Sequence, residues 1–405
     1  MKKLLELLKI ETFRRFFLIN IISYIGINIG LIGINWNVID KFSNNQSLAI
    51  YTTVSVLATI FVSFFISGFI DKYNKFMVMK YCVGIQSIVL LLIWFVITYV
   101  SDSIYVYIIL SLVNSSSLAI YNISSRGAIK YTLEAENLIH GNSILELCIQ
   151  GGAIFASAST GFLYKKYGYS LIFWIMIATL AIGSFIVKKV TYTQENSNKT
   201  YVAQIREGAS FFRNNMVVFF LGIVVFIPNV VTLASNNVLP GYIKQALYMD
   251  SVAFGIADTI FGIGAFVSGI FIIELIKKIN KNYIINVLFF ISTVVLGLLV
   301  FFVHINILYV IYFFFGLSNT SLKILLNTML MERIPEDKYG RCLAMCSSIA
   351  SIMQILVIQG ISLSMDYINP TYGYAILSLL LLISWLLYVV LSGFNRLKIQ
   401  KNPIR

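Results

Sequence analysis

Asp258 and Lys323 stand inside stretches that otherwise hold almost no charge. Asp258 lies seven residues into an apolar run, about 10 Å along a helix of 1.5 Å rise per residue. A carboxylate removed from water is costly, and one that can be neutralised suits a site that loads and unloads a proton. Gly262 and Gly269 lie near its face, where close packing would bury it further. Glu146 sits about five residues into another run, with Gln150, Ser157 and Thr160 near its face. It suits a second proton site, a ligand contact or a side chain reaching back to the interface. Lys323 is flanked by Asn319 and Asn327 at four-residue spacing. That polar stripe is expected to line a cavity, where the ammonium would disfavour purely cationic ligands. Asn28, Asn35, Asn114 and Asn229 are further amides able to bond a ligand or a neighbouring helix, and Tyr24, Tyr121 and Phe226 could wall an aromatic cavity.

The elements that must position these groups are twelve long apolar runs, at about 16–39, 48–70, 77–99, 104–124, 142–164, 170–187, 217–239, 252–276, 283–303, 307–329, 342–364 and 373–393. Each meets the roughly 20 residues that a helix needs to cross a bilayer. With 59% hydrophobic and 12% charged residues, the 405-residue chain is unlike a soluble domain. The first run is too long for a cleaved signal segment and is expected to be retained. Residues 2–15, short and basic with Leu4, Leu5, Leu7 and Leu8, read as an interfacial amphipathic segment. Gly26, Gly30 and Gly33 mark close helix packing, and Pro228 is placed to kink the seventh run.

The net charge of +13 does not indicate nucleic-acid binding, because its distribution follows the membrane. With the N-terminus inside, cytoplasmic segments hold 25 Lys and Arg residues and external loops hold four. This asymmetry predicts an integral plasma-membrane protein of bacterial type, with both termini cytoplasmic. The four cysteines imply no disulfide framework, and Cys342 and Cys346 have no His beside them, so no metal site is expected. No Walker motif, HExxH or nucleophile elbow is present. The sequence therefore implies neither an enzyme nor a cofactor.

Runs three, six, nine and twelve are nearly pure apolar and suit lipid-facing positions. Runs one, four, seven and ten carry the amides, which describes three-helix units repeated four times. The expected domains are a six-helix bundle at 1–190, a cytoplasmic linker with an amphipathic segment at 191–216, and a second bundle with a short tail at 217–405. Parallel repeats of this kind suit alternating access around a midplane site.

The connector after run two reads Ser67-Gly68-Phe-Ile-Asp71-Lys72-Tyr-Asn74-Lys75. It resembles the loop signature of the major facilitator superfamily, with Ser67 for the first Gly, Lys72 for Arg and Asn74 for the second Gly, where Asn suits a positive-φ turn. Two stretches, Arg126 through Ser143 and Ile334 through Arg341, resemble the macrolide-efflux (drug:proton antiporter) branch. The helix-five antiporter signature is matched only by its flanking glycines at Gly152–Gly161, without the proline. The resemblance implies an all-α major facilitator fold and a monomer. It also implies a latch in which Asp71, with Lys72, Lys75, Arg126 and Arg341, meets the N-terminus of helix eleven near Gly340.

The expected activity is export of amphiphilic, drug- or macrolide-like molecules driven by protons, in contact with membrane lipids. Lysolipid or dedicated metabolite transport is the alternative within the class. A non-transporting membrane ligand sensor is the alternative outside it.

Overall fold

The computed structural model describes residues 9–66, 70, 73–129, 133, 138–186, 210–213 and 215–401. Among them no strand occurs. Eleven long helices follow in order: α1 Glu11–Phe42, α2 Asn45–Phe61, α3 Lys75–Tyr99, α4 Ile104–Ile129, α5 Leu138–Ile186, α6 Met216–Gly241, α7 Ser251–Lys278, α8 Lys281–Phe301, α9 Ile305–Met331, α10 Glu336–Tyr367 and α11 Tyr372–Lys401. Single π-helical turns, Val62–Ile66 and Tyr242–Ala246, extend α2 and α6. All eleven are long and apolar enough to cross a membrane. The apolar part of α5 is 43 residues, twice what one crossing needs. The helix breaks at Gly168, whose φ of 75° and ψ of −177° lie where residues with a Cβ are strained. This one helix therefore holds runs five and six, and the twelve apolar runs are all accounted for.

The helix ends differ from the sequence reading where polar residues extend a helix past its apolar run. Residues 11–15 form the first turns of α1, with Phe13 and Phe16 buried, while Leu4, Leu5, Leu7 and Leu8 of the expected interfacial segment lie outside the described residues. Asn74 is a helix N-cap with φ of −60° rather than a positive-φ turn, and its side chain accepts from the Met77 amide at 3.3 Å. Of the expected 191–216 linker with its amphipathic segment, only 210–213, 215 and 216 are among the described residues.

The chain forms two compact units. One comprises Met1–Ser43, Ser47–Tyr201 and Asp250–Thr259; the other comprises Asn44–Gln46, Val202–Met249 and Ile260–Arg405. In the first, Phe16, Tyr24, Met79, Val83, Leu110, Tyr121, Phe173 and Met176 share one core. α1 packs there on the later part of α5. A Cβ at Gly26 would lie 1.9 Å from Thr179 Oγ1, and one at Gly33 would lie 2.4 Å from Ile172 Cγ2. In hydrocarbon such close backbone approach replaces the hydrophobic drive that lipid cannot provide. The apolar helix α3 exposes Tyr81, Ile85, Ile88, Leu92 and Phe95 at three- to four-residue spacing, and α11 exposes Leu379, Ile383, Leu386 and Val390, as lipid-facing stripes do.

Gly33→Leu is expected to force the branched Ile172 side chain aside at a cost of about 1–3 kcal/mol. A thermal melt of the detergent-purified variant would show a clearly lowered midpoint; an unchanged midpoint would mean that α1 and α5 are not in this contact.

Candidate functional site

In the first unit, α1 and α4 are joined by a polar ladder. Tyr121 Oη donates to Asn20 Oδ1 at 3.2 Å and Tyr24 Oη donates to Asn122 Oδ1 at 2.6 Å, while the two rings pack edge to face. Tyr24 and Tyr121 are buried core residues here. Asn28 donates to the Tyr24 carbonyl on its own helix at 2.7 Å, and Asn114 accepts from Gln86 of α3 at 3.1 Å. Asn35 is buried, and its Oδ1 has no partner among the described residues. Asn20, Asn114 and Asn122 thus tie neighbouring helices, as amides in membranes commonly do, whereas Asn28 bonds within α1.

Glu146 is exposed on α5, accepts from Gln150 at 3.0 Å and lies 3.6 Å from the Arg126 guanidinium. Lys75 is buried; its ammonium donates to the Ile70 carbonyl at 3.0 Å and its stem lies over Gly127 of α4. Asp71 and Lys72 lie outside the described residues, as does the side chain of Arg341. The backbone of Arg341 lies in the second turn of α10, because that helix begins at Glu336 rather than beside Gly340.

Asp258 is half-buried on the first turns of α7, in the same unit. Ser157 of α5 donates to its Oδ2. The two helices touch backbone to backbone along this seam. A Cβ at Gly255 would lie 2.7 Å from the Ser157 carbonyl oxygen, and one at Gly161 would lie 2.4 Å from the Ser251 oxygen. Ser251 Oγ donates to the Gly161 carbonyl at 2.9 Å, and Trp36 of α1 stacks on Phe254 at 5.6 Å. The glycines at the close approach of α5 and α7 beside Asp258 are Gly161 and Gly255, whereas space is open beside the predicted Gly269. Lys165 closes the seam on Asp250 at 2.6 Å. Asp250 also caps α7, accepting from the Val252 amide at 3.0 Å and the Ala253 amide at 3.3 Å. Partial desolvation alone would push the Asp250 carboxyl up; the Lys165 ammonium and the two amides outweigh it and hold it below the usual carboxylate range.

In the second unit, Asn319 of α9 is fully buried and donates to the Pro228 carbonyl of α6 at 2.9 Å and to Thr232 Oγ1 at 2.7 Å. Proline removes one hydrogen bond from α6, and Asn319 braces the turn around it. Lys323, Asn327 and Asn229 are half-buried on the same two helices. Phe226 lines a small apolar crevice with Ile223, Val230, Cys346, Ile349 and Met353.

Sequence reasoning missed Asp366. Its carboxylate accepts from the Asn45 amide at 2.8 Å, the Asn45 side chain at 2.7 Å and the Gln46 amide at 2.9 Å, capping the N-terminus of α2. Asn45 also donates to Gln245 at 2.7 Å, and Gln46 donates to Gln359 at 2.6 Å. Asp366 falls just past run eleven, and no local pattern links it to residues more than 300 positions away. The Ser157–Asp258 pair, 101 residues apart, had no local signal either.

An all-α architecture of membrane-crossing helices, with polar side chains bonded inside it, defines a polytopic membrane protein. The family model of the Major Facilitator Superfamily matches residues 16–358, and the chain belongs to that superfamily of membrane transporters. Among solved structures it is similar to a bacterial homologue of the iron transporter ferroportin in the inward-facing state, with a TM-score of 0.76 at 14% identity over 95% of this chain and 99% of that one. It is also similar to the nucleoside transporter NupG, with a TM-score of 0.76 at 10% identity over 94% and 98% of the two chains. For a D-xylose-proton symporter the TM-score is 0.70 at 12% identity, over 93% and 96%. At these identities the likeness is one of fold. No curated protein sequence matches the chain significantly.

Two outcomes are expected. Asn319→Leu removes both donors to α6 and should cost about 0.5–2 kcal/mol, read as a lowered thermal midpoint. Asp250 has a depressed folded pKa, so its contribution is full above the ordinary carboxylate pKa and is lost as pH falls through the lower folded value. Asp250→Asn should flatten that acid limb of midpoint against pH relative to the unsubstituted protein; an identical limb would contradict the Lys165 pairing.

Proposed function

We propose that the protein is a secondary active transporter that exports amphiphilic organic molecules by alternating access, driven by proton entry. The observation that carries this reading is Asp258, a carboxyl group within a membrane-crossing helix whose side chain is bonded by Ser157 alone among the described residues. A carboxylate in that setting is costly unless it is neutralised or paired, which fits a group that is protonated and deprotonated in each cycle. Glu146, exposed beside Arg126, suits a second proton position. Lys323, Asn327 and Asn229, half-buried on α6 and α9, suit ligand contact, as do Asn28, Asn35 and Asn114 on α1 and α4.

Amphiphilic cargo and the outward direction rest on the resemblance of Arg126–Ser143 and Ile334–Arg341 to macrolide exporters. The similar structures are named for iron, nucleosides and a sugar, so the shared fold does not select a cargo. Asp71, Lys72, Lys75, Arg126 and Arg341 are proposed as the cytoplasmic latch. The two six-helix halves, joined by the 191–216 linker and with both termini cytoplasmic, are proposed as the moving parts.

Accumulation of erythromycin and other amphiphilic antibiotics, in cells with and without the protein, tests this reading. Lower accumulation is expected, abolished by a protonophore and by Asp258→Asn with expression unchanged. Equal accumulation across the panel would reject broad export, and Asp258→Asn exporting at the full rate would reject Asp258 as the proton carrier.

A further inference from the structure

Ser157 Oγ carries one hydrogen, yet it stands within hydrogen-bond reach of two acceptors, the Ala153 carbonyl at 2.9 Å and Asp258 Oδ2. The count closes in two ways. When Asp258 is ionised, the hydroxyl hydrogen goes to the carboxylate, the stronger, charge-assisted acceptor. When Asp258 is protonated, its own O–H donates to Ser157 Oγ, and the serine hydrogen goes to Ala153. No atom needs to move far between the two.

We infer that Ser157 is a positioning residue that passes the protonation state of Asp258 into the backbone of α5. This rests on the reading of Asp258 as the proton site. A serine hydroxyl bonded to the carbonyl four residues back loosens and bends a helix. Proton binding thus adds a bond at Ala153 that the ionised state lacks. The change falls where α5 and α7 are in backbone contact at Gly161 and Gly255, so a bend in α5 is felt directly by the helix that carries the carboxyl group.

The neighbouring ionisable groups have partners of their own. On α5, Lys165 pairs with Asp250 of the α7 cap, Tyr164 donates to Asp40 of α1, and Glu146 faces Arg126. Lys41, near the end of α1, pairs with Asp102. Lys323 lies on α9, which meets α7 near Gly264, six residues beyond Asp258. Thr160, also on α5, is buried with its hydroxyl unpartnered, and Ser157 alone reaches the carboxyl group among the described residues.

The test is infrared difference spectroscopy of the purified protein in detergent between high and low pH, reading the carbonyl stretch of protonated carboxyl groups. Asp258→Asn should remove one band. Ser157→Ala should move that band to higher frequency, because the acid loses its acceptor, and Ser157→Thr, which keeps the hydroxyl, should restore it. A band that Asp258→Asn removes but Ser157→Ala leaves in place would overturn the role of Ser157 while sparing Asp258 as the proton site. No band lost in Asp258→Asn would overturn the proton site itself. Because the measurement needs no cargo, neither outcome depends on what is exported.

Discussion

Hydrocarbon offers no hydrogen-bond partner, so each polar side chain within a membrane-crossing helix must find one inside the protein or bear a cost of several kcal/mol. That constraint organises the interior of this transporter. Tyr121 bonds Asn20, Tyr24 bonds Asn122, and Asn319 braces Pro228 and Thr232. Tyr312 and Tyr374 share a bond of 2.6 Å, and Trp385 donates to Asn286 at 2.8 Å. These amides and aromatic side chains serve as ties between neighbouring helices. Asp258 differs in kind. It is a group that can gain and lose a proton, and its one described partner is a hydroxyl that also lies within reach of the Ala153 carbonyl.

Such ties form only where helices come close. Small residues set that distance: Gly26 and Gly33 bring α1 against the later part of α5, and Gly161 and Gly255 bring the earlier part of α5 against α7. The second seam places Ser157 within reach of Asp258, with Ser251 on Gly161 and Lys165 on Asp250 in line with it. A larger side chain at either glycine would separate the backbones and leave the carboxyl group without its donor.

The twelve apolar runs were legible in the sequence because a bilayer imposes a length and a composition on each one independently. Even the break at Gly168 falls in the gap between the fifth and sixth runs, beside Lys165-Lys166. Gly26, Gly30 and Gly33 also read correctly as packing positions. Pairings between distant helices left no such trace. Asp258 stood out because charge is rare in apolar runs, but its partner Ser157 is one of many serines. Asp366 ends an apolar run, where an acidic residue is unremarkable. Asn319 was expected to face a cavity; the structure shows it bonded to α6, because periodicity gives a face of a helix and not what lies against it. Asn74 was read as a turn residue when the same side chain chemistry makes it a cap.

The central claim is that Asp258 carries the proton that drives transport. Proteoliposomes holding a pH-sensitive dye, with erythromycin added on one side, measure it directly. The account predicts a proton flux opposite in direction to the macrolide, present in the unsubstituted protein and lost in Asp258→Asn. An equal flux from both proteins, or macrolide movement without any proton flux, would contradict it.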